Sequence, residues 1–136
     1  METIEYLNQN FLDGQMAGHL GLRFTKYDGQ NLSGELTVSA IHARPGGIMN
    51  GAVSLFMIET LASMAGSMAV DRKTKNVFGL EVNCNHLKQV AMGDTIQGTA
   101  SPIHLGRSTQ VWEVKIARSD ELICIGRITL FVADRK

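Results

Sequence analysis

Between Ala52 and Val70 the chain presents one long apolar run, broken by Glu59, Thr60, Ser63 and Ser67. A helix of this length that is apolar nearly all round must be covered on most of its sides. A membrane would cover it, but a carboxylate at mid-bilayer costs about 2.5 kcal/mol or more. The run is therefore expected to be a helix buried in protein rather than in lipid. The remainder of the chain must supply the cover, and where one chain cannot, a second copy must.

The flanking sequence offers strands. Leu20–Lys26 and Asn31–Ser39 read as two strands around a turn at Asp28-Gly29, with Gly34 marking a possible bulge. After the helix, Asn76–Leu87, Thr95–His104, Ser108–Ala117 and Leu122–Ala133 alternate as strands do. Residues 2–13 form a short amphipathic helix, with Ile4, Leu7, Phe11 and Leu12 on one face. The stretch from His42 to Gly51, with one Pro and three Gly, is a loop. One sheet wrapped against one central helix is the simplest α+β layering that buries that helix. A chain of 136 residues fits one domain, residues 1–136, without internal repeats.

Charge and composition exclude several classes. Thirteen basic residues balance thirteen acidic ones, and no basic block is present to neutralise phosphates, so no nucleic-acid partner is expected. The acidic start Met1-Glu2-Thr3-Ile4-Glu5 lacks the basic region of a secretory signal. Cys84 and Cys124, each in an apolar run, read as buried free thiols suited to a reducing, cytoplasmic setting, with a disulfide as the alternative. The four histidines are scattered, and neither cysteine shows a ligand partner nearby, so neither a metal nor a cofactor is expected. No phosphate-binding glycine loop and no Gly-x-Ser-x-Gly elbow occurs.

Two places could carry chemistry. Glu59 lies inside the apolar helix, where an unpaired carboxylate is costly. Ser63 and Ser67 follow at steps of four along the same stripe. Glu59 either faces solvent or an interface partner, or acts as a base or nucleophile. Asn50-Gly51 forms the loop-to-helix junction, where free N–H groups at the positive end of the helix can polarise a carbonyl. Asn and Gly are equally at home there as cap and turn residues. Nine residues of helix place Asn50 and Glu59 on opposite sides, about 13 Å apart along the axis. One chain cannot bring both to one carbonyl; two chains can.

These residues resemble a known family. Arg44-Pro45-Gly46-Gly47-Ile48-Met49-Asn50-Gly51-Ala52 followed by Glu59-Thr60-Leu61-Ala62-Ser63-Met64-Ala65-Gly66 is similar to the central loop and helix of hotdog-fold acyl-CoA thioesterases. The likeness is greatest to the enterobactin-proofreading and dihydroxynaphthoyl-CoA thioesterases. It extends over roughly residues 17–132, through Gly18-His19-Leu20-Gly21, Gly79–Asn83, His86 and the distinctive block His104–Val114. The resemblance implies a curved antiparallel sheet around the long helix, paired into dimers that stack as homotetramers, with active sites shared between subunits and a coenzyme A or carrier-protein thioester as substrate. It implies Glu59 as the catalytic carboxylate, the Gly51 N–H as the carbonyl-polarising donor, and Ser63 as an assisting polar group. It further implies His86 at the acyl pocket, and Arg107 and Ser108 near the nucleotide of coenzyme A.

The family's loop normally reads His-Gly-Gly where this chain has Asn50-Gly51-Ala52, and Arg44 replaces the usual polar amide. Asn50 can still donate a hydrogen bond but cannot exchange a proton. Arg44 adds a fixed positive charge that would weaken Glu59 as a base if the two met across a dimer, or would attract an anionic acyl group. The expected activity is hydrolysis of a medium-chain or aromatic acyl thioester. The competing expectation is an acyl-thioester binding protein that has lost efficient chemistry. A dehydratase is disfavoured because that chemistry usually wants a histidine acid/base near a carboxylate, and none stands at the Asn50-Gly51 junction.

Overall fold

Thr3 starts the first helix, its hydroxyl accepting a hydrogen bond from the Tyr6 N–H. In the computed structural model, which describes all of Met1–Lys136, helix α1 spans Ile4–Phe11 and the single turn α2 spans Met16–His19. Asn8, buried on α1, clamps that helix to the sheet: its side chain both accepts from the Phe24 N–H and donates to the Phe24 carbonyl. Strands β1 (Arg23–Tyr27) and β2 (Leu32–Thr37) follow as a hairpin. The loop from His42 to Gly51 contains a minimal hairpin of β3 (Ala43–Arg44) and β4 (Ile48–Met49). Helix α3 (Ala52–Met68) comes next, then β5 (Lys75–His86), β6 (Thr95–Leu105), β7 (Thr109–Arg118) and β8 (Glu121–Asp134).

Six strands make one antiparallel sheet in the order β1-β2-β6-β7-β8-β5. Helix α3 carries the chain from the β2 side to the far edge, where β5 is laid down beside β8. The inward face alternates as a half-buried sheet should. Ile96, Ala100, Trp112, Val114, Ile116, Ile128 and Leu130 point at the helix, which returns Met57, Ile58, Leu61, Ala62 and Ala65. Trp112 is not orphaned in this core: its indole N–H donates to Gln110, whose amide donates to the Gly66 carbonyl.

The helix lies unusually close to the sheet, and glycine makes this possible. A Cβ on Gly98 would lie 2.6 Å from Leu61 Cδ1, and one on Gly126 would lie 2.4 Å from Ile58 Cδ1 and 2.7 Å from the Asn83 carbonyl oxygen. Gly34 serves the same purpose, with 2.9 Å to Leu61 Cδ2. The bulge expected at Gly34 is in fact on its partner strand, between Phe24 and Lys26. Gly34 is there to admit the helix, and β1 absorbs the irregularity.

The Asp28 turn is built by its own carboxylate, which accepts from the Gln30 and Asn31 N–H groups and from the Asn31 side chain. Hydrogen bonds from the Asn31 side chain and from the Asn31 and Gln30 backbones bring its pKa down to about 2. A carboxyl depressed in the folded state stabilises fully above its unfolded value of about 3.9 and stops doing so as pH falls through the folded value. NMR titration should therefore show Asp28 losing its charge near pH 2, with the turn intact at pH 4. Gly126→Ala should destabilise the protein by about 1–3 kcal/mol through overpacking, read as a lower urea midpoint with unchanged slope.

Candidate active site

The first turn of α3 is held by Asn50, whose side-chain oxygen accepts from the Ala52 N–H at 2.9 Å, while its carbonyl accepts from Val53. Asn50 therefore acts as a cap, and its oxygen is committed. Its own N–H donates to the carbonyl of His42. His42 is buried and fully engaged, with Nδ1 accepting from the Ser39 N–H and Nε2 donating to the Leu20 carbonyl. This anchors the loop. The Gly51 N–H makes no hydrogen bond in the chain. It stands at the positive end of a long helix as an available donor.

Against Gly51 lies the ring of His86, so close that a Cβ there would be 3.0 Å from both Cε1 and Nε2. Arg44, Met49, Gly51, Ser54, His86 and Lys88 contribute to a cavity of about 170 Å³. The Arg44 guanidinium donates to the neighbouring Pro45 carbonyl at 3.1 Å. Ser54 is fully buried beneath this cavity, and its hydroxyl has no hydrogen-bond partner.

Glu59 lies elsewhere. It is half-buried on the opposite side of α3, with its Oε1 only 2.6 Å from where a Gly79 Cβ would stand. It forms no ion pair within the chain. With Thr60, Ser63 and Ser67 it lines a second cavity, of about 390 Å³, whose apolar walls include Phe11, Phe24 and Val77. The two cavities share no residue. Larger depressions near Met68–Arg72 and at Asp13–His19 contain none of the sequence-predicted catalytic or binding residues.

The structure thus groups Gly51, Asn50, Arg44 and His86 at one end of α3, and Glu59 with Ser63 at the other side. It does not bring the two groups together within one chain. Arg107 and Ser108 fall on the exposed β6–β7 turn and line neither cavity, so nothing in one chain joins them to either group.

One sequence expectation is corrected outright. The cysteines do have a ligating neighbour: donor atoms of Cys84, His86 and Cys124 all lie within 4.8 Å of one another. A two-residue step on β5 puts Cys84 and His86 on one face, and pairing with β8 sets Cys124 opposite His86. The Cys84-Asn85-His86 spacing was a visible signal, but the arrival of Cys124 depends on strand order. Ser54 was also missed, being one small residue within an apolar helix.

The comparisons agree on one family. The model described as the thioesterase superfamily matches residues 46–125. The 1,4-dihydroxy-2-naphthoyl-CoA hydrolase of Escherichia coli is 33% identical over 128 residues, 93% of this chain and 92% of that one. A mutant thioesterase from Pseudomonas aeruginosa has a fold matching this chain with a TM-score of 0.94 at 32% identity, covering 99% of this chain and 96% of the other. A thioesterase of Haemophilus influenzae matches with a TM-score of 0.92 at 34% identity, covering 98% and 92%.

Proposed function

The chain belongs to the thioesterase superfamily and is a thioester hydrolase with the hotdog fold, and from that premise we propose that it hydrolyses a medium-chain or aromatic acyl-CoA at sites shared by two copies of the chain. The observation that carries this reading is the split site: an unengaged Gly51 N–H in one cavity and an unpaired Glu59 carboxylate in another. In the proposed site, Gly51 of one copy polarises the thioester carbonyl while Glu59 of the other takes a proton from water. The water oxygen attacks the carbonyl carbon, the C–S bond breaks, and coenzyme A leaves as the thiol after protonation. Ser63 and the amide N–H groups of Asn50 are assigned to orient water and carbonyl in that site. Arg107 and Ser108 are assigned to the coenzyme A nucleotide on the strength of the family resemblance.

The edge of the sheet supports pairing. Strand β5 has no neighbour on its outer side, and Phe78 and Leu80 are 52% and 62% exposed along it. Such an edge invites a partner strand. Antiparallel β5–β5 pairing about Asn83, with Leu80 bulged as it is against β8, would set Gly79, which cradles Glu59, opposite His86 of the second copy, which packs on Gly51. On that register the two cavities would face one another. A tetramer formed from two such dimers is the further expectation. The apolar walls around Glu59 suit a medium-chain or aromatic acyl group. The identity to the E. coli hydrolase, whose name gives a dihydroxynaphthoyl substrate, favours the aromatic one. Arg44, beside the Gly51 cavity, favours acyl groups bearing a negative charge or a phenol.

Glu59→Gln should keep the fold and lose at least about a hundredfold in turnover, measured by thiol release. An unchanged rate in an active enzyme would make Glu59 structural. Gly51→Pro removes the N–H and suits the observed φ of −58°, its Cβ pushing the His86 ring back by a few tenths of an ångström. Each variant alone should be inactive. Reassorting equal amounts should restore about a quarter of wild-type sites, because half of the dimers then carry one intact site. No recovery, with mixed dimers demonstrated, would refute sharing. Arg44→Gln should shift the ratio of kcat/KM values from anionic toward neutral acyl thioesters. An unmoved ratio places Arg44 outside the acyl site.

A further inference from the structure

Beneath the first turn of α3, Cys84 and His86 on β5 and Cys124 on β8 point at one another. None of the three is needed by the hydrolytic step as Glu59 and Gly51 would perform it. Cys84 is half-buried, Cys124 is fully buried, and the exposed ring of His86 opens the group to the Gly51 cavity. Two soft sulfurs and an imidazole nitrogen form a donor set for a soft divalent cation, not for magnesium or calcium.

We propose that Cys84, His86 and Cys124 bind one zinc-class divalent cation per chain, with the fourth coordination position taken by water from the Gly51 cavity. The geometry fits. Tetrahedral zinc at about 2.3 Å from sulfur and 2.0–2.1 Å from nitrogen holds neighbouring S and N atoms about 3.6 Å apart. The Cys84 Sγ to His86 Nε2 separation is 3.6 Å. No remaining donor separation exceeds 4.8 Å. Binding forms two metal–sulfur bonds and one metal–nitrogen bond and releases the two thiol protons to solvent. Two thiolates and a divalent cation sum to zero charge, which a site with one wholly buried ligand requires.

An unengaged donor lies beside the buried sulfur. The Ser54 hydroxyl is 0% exposed and has no hydrogen-bond partner. It stands beside Cys124 with its O–H free to donate to that sulfur. A disulfide is the alternative use of two thiols. Here Cys84 pairs with Gly126 and Cys124 with His86, so the cysteines are diagonal neighbours. Diagonal positions stand about 7–8 Å apart, beyond the reach of an unstrained S–S bond.

The test uses the full chain, reduced and stripped with a chelator, and titrated with Co²⁺ and then Zn²⁺. The expected result is saturation at one equivalent per chain, with sulfur-to-cobalt charge-transfer absorption and tetrahedral visible bands that one equivalent of Zn²⁺ removes. Cys84→Ser and His86→Gln, whose folding is verified by circular dichroism, should each weaken Co²⁺ binding by roughly a hundredfold or more, as loss of a direct ligand does. Absence of binding in the wild type, binding without thiolate absorption, or binding unchanged in both variants would each overturn the site. So would recovery of the reduced, metal-free protein upon oxidation as an intrachain Cys84–Cys124 disulfide without backbone rearrangement. The site does not depend on the catalytic roles of Glu59 and Gly51, and Glu59→Gln should bind Co²⁺ as the wild type does.

Discussion

The close seat of helix α3 on the sheet is the constraint from which the rest follows. Gly34, Gly98 and Gly126, on three different strands, omit side chains where the helix crosses, and Ile58 and Leu61 fill the space. An apolar helix packed this tightly can neither slide nor rotate without driving a methyl group into a backbone. Its angular setting is therefore fixed, and with it the directions in which Gly51, Ser54, Glu59 and Ser63 point. A fourth glycine, Gly79, makes room at the edge strand for the Glu59 carboxylate. The seat thus sets the orientation of the candidate site as well as the stability of the core.

Much of this was legible in the residues. The helix was expected over Ala52–Val70 and occupies Ala52–Met68; the four strands after it begin and end within a few residues of their expected limits. Periodicity carries that information because each element must bury one face. The opposite projection of Asn50 and Glu59 also follows from helix geometry alone, and the two separate cavities reflect it. Strand order was not legible. Alternation tells which residues share a face, but not that β5 would sit at an edge beside β8, which is what places Cys124 against Cys84 and His86. Nor could single residues reveal that Gly34 gives way to Leu61 while the bulge falls on β1.

The block His104–Val114 shows how a distinctive motif can be structural at its centre. Gln110 and Trp112 satisfy one another and the Gly66 carbonyl inside the core. A buried polar pair of this kind is costly to disturb, since each partner would be left without a hydrogen bond. The exposed part of the block is its start, at His104, Leu105, Arg107 and Ser108.

The two cavities differ in chemical character, and the difference argues for their union. The Gly51 cavity offers donors and positive charge: a helix N-terminus, the guanidinium of Arg44 and the ammonium of Lys88. The Glu59 cavity offers a carboxylate and the hydroxyls of Thr60, Ser63 and Ser67 among apolar walls. A thioester requires both kinds of environment, because charge gathers on its carbonyl oxygen while a proton is drawn from the attacking water. Neither cavity alone can stabilise both changes. In the proposed pairing, the edge strands of two copies would supply opposite electrostatic halves to each site and cover the apolar edge at Phe78 and Leu80. The contact proposed for the edge strand's hydrogen bonds is also the one the proposed reaction would need for its charges.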